Sequence, residues 1–257
     1  MKILITGCKG GIGLDAARCL AARGHSIYAT VHNEASIESV KAAFGESAAK
    51  VTVEKLDVTD AADREKAGRW DIDVLINNAA IGDSGPLAEI DLERIKRVLD
   101  VNIFGALELT RKYIPRMAER KSGRIIFVGS MAGLMPTPFL APYGMSKFAL
   151  ESVAFSLRTE LKPFGIDVIM VNPGGYNTDF NQKNIGKKYE WIDGSVLYKD
   201  HMDVIKKAED MIIRSELKDT ASIARQIVRA VEDKRPRRRY VAPLWQWWLI
   251  PLLRERA

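Results

Sequence analysis

The stretch KILITGCKGGIGLDAARCLAARG, residues 2–24, decides the fold of this chain. A short apolar run opens it, a turn with four glycines follows, and apolar residues then recur at helical spacing up to Gly24, which predicts a helix stop. A strand, a glycine turn and a helix in this order open a dinucleotide-binding unit, because glycines let the backbone approach a pyrophosphate and the helix N-terminus offers it free N–H groups. A plain glycine-rich turn is the alternative, but the position directly after the first strand favours nucleotide binding.

Alternating strand and helix patterns continue along the rest of the chain. Further apolar runs suited to strands buried on both faces are SIYATV, KVTVEKL, DVLIN, RIIFVG, IDVIMV and RYVA, with helical patterns between them. This alternation predicts an α/β fold of the Rossmann type, a doubly wound parallel sheet of about seven strands with helices on both faces. At 257 residues, we expect one domain over residues 1–257, with the ligand crevice at the carboxyl ends of the strands.

A tyrosine and a lysine four residues apart, Tyr143 and Lys147 in YGMSK, carry the strongest chemical signal, with Ser130 thirteen residues upstream. Residues i and i+4 share one face of a helix, so the phenol and the ammonium can meet. A nearby ammonium favours phenolate, which would move the pKa of the phenol down from ~10 toward neutral pH. The pattern therefore predicts a general acid–base with a serine hydroxyl beside it, although Tyr and Lys at this spacing also occur as surface pairs.

Together these motifs resemble the short-chain dehydrogenase/reductase family, whose hydroxysteroid and retinol dehydrogenase-like members are similar over Lys2 to about Pro243. The family's TGxxxGxG pattern runs from Thr6 to Gly13, and the same pattern argues against its extended, epimerase-like branch. The resemblance implies an NAD(P)-dependent oxidoreductase acting on CH–OH groups or ketones. Its catalytic residues map onto Asn102, Ser130, Tyr143 and Lys147. Cofactor contacts are predicted at Thr6, Gly7, Lys9, Gly11, Ile12, Gly13, His32, Asp57, Val58, Asn78, Ala79, Tyr143, Lys147, Pro173, Gly174 and Thr178.

The family resemblance also implies a role for each catalytic residue. Tyr143 exchanges the proton of the substrate oxygen, Ser130 polarises that oxygen, and Lys147 lowers the pKa of the phenol and holds the nicotinamide ribose. Asn102 would bend its helix and hold a water in a proton relay to the lysine; its alternative is an ordinary helix asparagine. One departure is Ala80, where the family has glycine, at a position that could require positive φ.

The choice between NADP(H) and NAD(H) depends on the end of the second strand. An acid there would bind the adenosine ribose diol and repel a 2′-phosphate, and the segment YATVHN, residues 28–33, ends without one. Glu34 is assigned to the first turn of the next helix. Lys9 and His32 could contribute to a phosphate pocket, although both could equally be solvated. We therefore favour NADP(H), with NAD(H) as the alternative.

Residues 176–218 resemble the variable substrate lid of the family. This segment is rich in large apolar side chains, as is the stretch between Ser130 and Tyr143. The residues in question are Leu134, Met135, Pro136, Phe139, Phe180, Tyr189, Trp191, Tyr198, Met202 and Met211. They predict a bulky hydrophobic ketone or secondary alcohol of the steroid, retinoid, fatty-acyl or polyketide kind, unless they form only the packing of the lid itself.

The carboxyl-terminal segment, residues 234–257, carries a net charge of +6, equal to that of the whole chain. The run KRPRRR leads into the last strand, and VAPLWQWWLIPLL follows it. That apolar run is shorter than the ~20 residues a bilayer crossing needs. Two interpretations stay open: packing on the chain itself or on another subunit, and attachment to an anionic membrane surface. Nucleic-acid binding is not expected.

Several broader expectations also follow from the sequence. The chain opens directly with a strand and contains only two cysteines, which predicts a cytoplasmic protein without a leader peptide. A cytoplasmic protein in peripheral contact with a membrane surface is the alternative. No metal site is predicted, because the histidines lack partners at ligand spacing. The resemblance implies a homodimer or homotetramer, with the long helix over residues 91–119 as a candidate contact. A non-catalytic NAD(P)H sensor or scaffold is the alternative function.

Overall fold

Parallel strands form the centre of the molecule. The computed structural model describes residues 1–178, 180, 194–201, 203 and 216–254, without the side chains of Leu249 and residues 251–254. Seven strands pair in parallel in the order β3-β2-β1-β4-β5-β6-β7. They are β1 Lys2–Ile5, β2 Ser26–Val31, β3 Val51–Lys55, β4 Val74–Asn77, β5 Gly123–Val128, β6 Ile166–Pro173 and β7 Arg239–Ala242. The predicted Rossmann-type sheet is confirmed.

Helices connect the strands and cover both faces of the sheet. They are α1 Gly11–Ala22, α2 Ile37–Ala42, α3 Ala61–Gly68, α4 Leu92–Leu99, α5 Ala106–Glu119, α6 Ala141–Leu161, α7 Ala221–Glu232 and α8 Leu244–Arg254. Between α4 and α5 the chain makes a π-helical turn, Asp100–Gly105, so the long helix expected over residues 91–119 is helical from Leu92 to Glu119 with a π-helical turn inside it. The predicted helix stop holds, since α1 ends at Ala22 and Gly24 has a φ of +91°.

Side-chain alternation along the strands divides the core between the two faces of the sheet. In β1, Ile3 and Ile5 pack with α1, α2 and α7, whereas Leu4 packs with the cluster under α3, α5 and α6. Successive residues of a strand point to opposite faces, and both faces of this sheet are covered, so a strand that is apolar at every position is stable. This explains why the strands appear in the sequence as continuous apolar runs.

The strand order reverses between β1 and β4, which lie side by side although they are distant in the chain. Ligands in open α/β sheets bind outside the carboxyl ends of the strands at such a switch point. The glycine turn follows β1, residues 78–80 follow β4, and Ser130 follows β5. The topology therefore gathers the predicted site along one edge of the sheet.

Candidate active site

The loop after β4 is fastened to the glycine turn by side-chain hydrogen bonds. Thr6 Oγ1 accepts hydrogen bonds from the backbone N–H groups of Asn78, at 3.0 Å, and Ala79, at 2.9 Å. Asn78 Nδ2 donates to the carbonyl oxygens of Thr6 and Gly7, at 2.9 and 3.1 Å. Thr6 and Asn78 thus fix the two loops at the switch point. Ala80 does not have a positive φ, so the expectation that this position could require one is wrong.

The geometry of the glycine turn fits a dinucleotide. Gly7 has a φ of +73°, and a Cβ there would lie 2.7 Å from Ala79 Cα, so only glycine is accommodated. The N-terminus of α1 at Gly10 has no side-chain cap, which leaves its N–H groups and its positive dipole end available to a pyrophosphate. Thr178 returns to this turn, since its side chain is 3.5 Å from where a Cβ of Gly11 would stand.

Ser130, Tyr143 and Lys147 converge beside the carboxyl end of β5. Lys147 Nζ donates to the carbonyl oxygen of Val128, at 2.9 Å, and lies 5.5 Å from the centroid of the Tyr143 ring. Ser130 begins the short turn Met131–Gly133, and its Oγ accepts from the N–H of Ala132 at 3.1 Å. The structure thus brings together the three side chains that the YxxxK pattern and its upstream serine predict.

Burial controls the pKa values of this trio. It raises the pKa of Tyr143 to about 12, against the opposing effect of a hydrogen bond with Ser130. Burial also lowers the pKa of Lys147 to about 8, while the charge of Glu151 acts in the opposite direction. The sequence-based expectation of a phenol pKa near neutral pH is therefore wrong for the chain alone, because desolvation of the phenolate outweighs the hydrogen bond with Ser130.

Asn102 lies in the π-helical turn and braces the site. Its Oδ1 accepts from Ile81 N–H at 2.8 Å, and its Nδ2 donates to Ile81 O and to Ser146 Oγ, both at 2.9 Å. Ser146 Oγ in turn donates to the carbonyl oxygen of Tyr143 at 2.7 Å. Asn102 therefore links the loop after β4 to the start of α6, and π-helical turns of this kind occur often at functional sites. The water relay stays a prediction.

The residues predicted at the adenine end lie on the loops after β2 and β3. The Asp57 carboxylate accepts from the backbone N–H and the hydroxyl of Thr59, at 2.9 and 2.7 Å. Val58 is buried, and its carbonyl oxygen would lie 2.7 Å from a Cβ on Gly105. His32 and Lys9 are exposed, and a ring nitrogen of His32 is 2.9 Å from Asn33 Nδ2.

Comparison with known proteins decides the family. A family model described as short chain dehydrogenase matches residues 1–188. The chain belongs to this family. Human 17-beta-hydroxysteroid dehydrogenase type 1 is 32% identical over 265 residues, which cover 99% of this chain and 80% of the relative. Human retinol dehydrogenase 8 is 32% identical over 245 residues, covering 91% and 78%.

Solved structures share the fold. A short-chain dehydrogenase from Sphingobium yanoikuyae in complex with NADPH superposes with a TM-score of 0.77 at 23% identity, covering 99% of this chain and 93% of that one. The family match and the two human relatives show that this chain is an oxidoreductase of the short-chain dehydrogenase family, a family whose cofactors are NAD(P).

This short-chain dehydrogenase also has supporting residues that motif reasoning missed. Glu151 lies one helical turn after Lys147 on α6, Asn172 lies near the end of β6, and Arg239 begins β7. The spacing of Lys147 and Glu151 could have indicated their proximity. No local pattern predicts the contact with Arg239, because 88 residues separate it from Glu151.

The carboxyl-terminal segment holds the end of β6 at Pro173 and the loop that follows it from Gly174. Gly174 N–H donates to the carbonyl oxygen of Ala242 at 2.8 Å. Gln246 Oε1, on α8, accepts from Gly175 N–H at 2.9 Å. The inner face of α8 therefore packs on its own chain, which is one of the two interpretations of this segment that the sequence left open.

Described parts of the lid segment 176–218 lie beside the catalytic residues. The Phe180 ring is tilted against Tyr143, with 5.5 Å between centroids, and Tyr198 meets Phe139 edge-on at 5.5 Å. The two ends of the segment pair through an isolated bridge between Tyr176 and Leu217. Its members Tyr189, Trp191, Met202 and Met211 lie outside the described residues.

Proposed function

We propose that this short-chain dehydrogenase interconverts a bulky hydrophobic ketone and its secondary alcohol with NADP(H), with Tyr143 as the general acid–base. When bound, the nicotinamide supplies or accepts the hydride. The arrangement of Ser130, Tyr143 and Lys147 around one point, beside a glycine turn that fits a pyrophosphate, is the observation that carries the proposal.

The proton chemistry follows from the protonation states. With its pKa raised to about 12, Tyr143 is a neutral phenol at pH 7 and can donate its proton to a ketone oxygen during reduction. Ser130 supplies a hydroxyl to polarise that oxygen. Lys147 Nζ, 5.5 Å from the centroid of the Tyr143 ring, offers a positive charge that stabilises phenolate in the step where the proton has left.

Preference for NADP(H) is supported by the loop after β2. β2 ends at Val31 without an acid, His32 and Asn33 follow it, and Lys9 is exposed on the glycine turn. The Sphingobium yanoikuyae enzyme is a complex with NADPH. Michaelis constants for NADPH and NADH decide the matter, and a preference for NADH of more than tenfold would contradict this part of the proposal.

Hydrophobic substrate preference is supported by the aromatic side chains around Tyr143. Phe180 contacts the catalytic ring itself, and Phe139 with Tyr198 forms a second aromatic pair between the Ser130–Tyr143 stretch and the lid segment. The names of the two human relatives specify a 17β-hydroxysteroid and retinol. The test is NADP+-dependent oxidation, followed at 340 nm, of the secondary alcohol estradiol beside glucose, with retinol, a bulky primary alcohol, as a second hydrophobic substrate. Activity confined to glucose would refute the proposal of a hydrophobic substrate. Tight binding of NADPH without oxidation of any tested alcohol would favour a non-catalytic sensor.

A homo-oligomer is proposed from exposed apolar side chains near the site. Phe104 in the π-helical turn and Phe155 on α6 are 55% and 68% exposed, and Met145 on α6 is 43% exposed. Large apolar side chains exposed together mark interaction surfaces. Light scattering should give a dimer or tetramer mass that Phe155→Lys reduces. A monomeric wild-type chain at micromolar concentration would contradict it.

Peripheral contact with an anionic membrane is proposed for the outer face of α8. Leu244, Trp245 and Trp248 are 61%, 50% and 73% exposed, beside exposed side chains of the run KRPRRR. Among the helices that the structure describes, no membrane-spanning candidate is found. Co-sedimentation with phosphatidylserine vesicles should require both tryptophans. If Trp245→Ser/Trp248→Ser sediments like the wild type, the surface is not lipid-binding.

A further inference from the structure

A closed polar network lies behind Ser130 and Lys147. Arg239 donates to both carboxylate oxygens of Glu151, through Nη1 at 2.8 Å and Nη2 at 2.6 Å. Its Nη1 also donates to Asn172 Oδ1 at 2.7 Å. Asn172 Nδ2 donates to Glu151 Oε1 at 2.6 Å and to the carbonyl oxygen of Ser130 at 3.1 Å. Residues of α6, β6 and β7 are thereby joined in one network, which contacts the backbone of the catalytic serine through Asn172.

Burial makes this network sensitive to the loss of any member. Asn172 is fully buried, and the side chains of Glu151 and Arg239 are 14% and 30% exposed. A bidentate guanidinium–carboxylate pair fixes both distance and plane. Removing one partner leaves the other as an uncompensated charge in a region from which water is largely excluded.

The carboxyl-terminal helix closes the outer side of the network. The guanidinium carbon of Arg239 lies 5.5 Å from the ring centroid of Trp247 on α8, a separation at which a cation and an aromatic face attract. The adjacent Gln246 holds Gly175 N–H, two residues after Pro173. Both contacts place α8 against the supports of the catalytic residues.

We propose that Glu151, held in place by Arg239, is a positioning residue that keeps Lys147 charged and Ser130 fixed, so that the chemistry of Tyr143 depends on an ion pair outside the catalytic set. This inference rests on the proposed function for its catalytic meaning. A purely structural role would need only the hydrogen bonds of Glu151, whereas the proposed role also needs its negative charge, which favours the protonated form of Lys147.

The charges around Lys147 determine in which direction its pKa should change when each of them is removed. Glu151 follows Lys147 by one turn of α6 and raises its pKa, against the burial that lowers it to about 8. Arg239 on β7 is the cation bonded to the Glu151 carboxylate. Arg158 on α6 donates to the carbonyl oxygens of Val168 and Arg238 and is influenced by the charges of Glu151, Arg238 and Arg239. Loss of the Glu151 charge must therefore lower the pKa of Lys147 further, and loss of Arg239 must not.

The test follows Lys147 directly, by NMR titration of the chain labelled with ¹³C at lysine Cε. A lysine that titrates near pH 8 stands apart from ordinary lysines near ~10.4, and its absence in Lys147→Arg assigns it. The variants are Glu151→Gln, which keeps the shape and the hydrogen bond from Asn172, and the double variant Glu151→Gln/Arg239→Gln. Glu232→Gln is the matched control, because it also unpairs an arginine, Arg23, from a bidentate carboxylate that touches none of the catalytic residues.

We expect Glu151→Gln to lower the Lys147 midpoint by about one pH unit, and Glu232→Gln to leave it in place. The double variant, which buries no lone charge, should show a smaller downward shift, because loss of the Arg239 cation partly opposes loss of the Glu151 anion. It covers the case in which the single variant does not fold. A midpoint within about 0.2 units of the wild type in both variants would overturn the proposal. This measurement needs no turnover, so failure of estradiol and retinol as substrates would refute the proposed function and leave the network intact.

Discussion

The contact between Gly13 and the loop after β4 makes Gly13→Ala a sharp test of how the site is assembled. A Cβ on Gly13 would collide with Asn78 Nδ2 and would lie 2.6 Å from the carbonyl oxygen of Gly7. Those are the groups joined by the hydrogen bonds that fasten the two loops. The alanine can be accommodated only if Asn78 or the glycine turn moves.

The magnitude follows from three contributions. Loss of the two Asn78 hydrogen bonds costs about 1 kcal/mol each, and forcing a methyl group into a packed site costs about 1–3 kcal/mol. The higher helix propensity of alanine within α1 returns up to about 1 kcal/mol. The free energy of unfolding should therefore fall by about 2–4 kcal/mol, which for a chain of this size, at about 2 °C per kcal/mol, lowers Tm by roughly 4–8 °C.

Gly10→Ala is the matched control on the same turn. Its backbone is extended, and an added Cβ would meet no heavy atom of the described residues within 4 Å. The change should alter the free energy of unfolding by less than about 1 kcal/mol. The assay is thermal unfolding with NADPH fluorescence titration on the folded variants. Gly13→Ala with a Tm within about 2 °C of the wild type, or a Gly10→Ala loss equal to that of Gly13→Ala, would refute the reasoning.

Two further predictions concern the catalytic residues. Asn102→Ala should lower the free energy of unfolding by about 2–4 kcal/mol in urea, because it leaves Ile81 and Ser146 without their buried partner; a loss below about 0.5 kcal/mol would contradict the bracing role. Lys147→Met should abolish turnover yet stabilise the chain by about 1–2 kcal/mol at pH 7. Burial lowers the pKa of Lys147 from 10.5 to about 8, so at pH 7, where the lysine is charged in both states, its charge disfavours the folded state. The hydrogen bond to Val128 offsets only part of this cost. The wild type regains this stability as the pH rises from about 8 to 10.5, so the advantage of Lys147→Met should shrink over that window, and an advantage constant with pH would show that desolvation of the ammonium is not its cause.

Much of the fold could be predicted because its determinants are local. Apolar runs of strand length, a glycine turn and the helical spacing of Tyr143 and Lys147 are properties of neighbouring residues, and the topology followed from their alternation. The π-helical turn within the long helix at Asp100–Gly105 has no such local signature, since Asn102 is held there by bonds to Ile81 and Ser146.

Tertiary packing determined what the sequence could not show. The direction of the Tyr143 pKa depends on burial, which is a property of the assembled site, and the pair of Glu151 and Arg239 joins distant parts of the chain. The carboxyl-terminal helix packs on its own chain through Gln246 and Ile250, while Trp245 and Trp248 are exposed. Attachment of that exposed face to a membrane stays a prediction.

The role of Tyr143 is the central claim, and Tyr143→Phe tests it most directly. Fluorescence titration with NADPH and estradiol oxidation with NADP+ would be measured for the wild type, for Tyr143→Phe and for the control Tyr28→Phe. The Tyr28 ring stacks on Trp70, with 4.9 Å between centroids. We expect Tyr143→Phe to bind NADPH within a few-fold of the wild type and to lose turnover by about 10²–10⁴-fold, while Tyr28→Phe retains both. Turnover by Tyr143→Phe within tenfold of the wild type, or a wild-type chain that binds neither NADPH nor NADH, would contradict the claim.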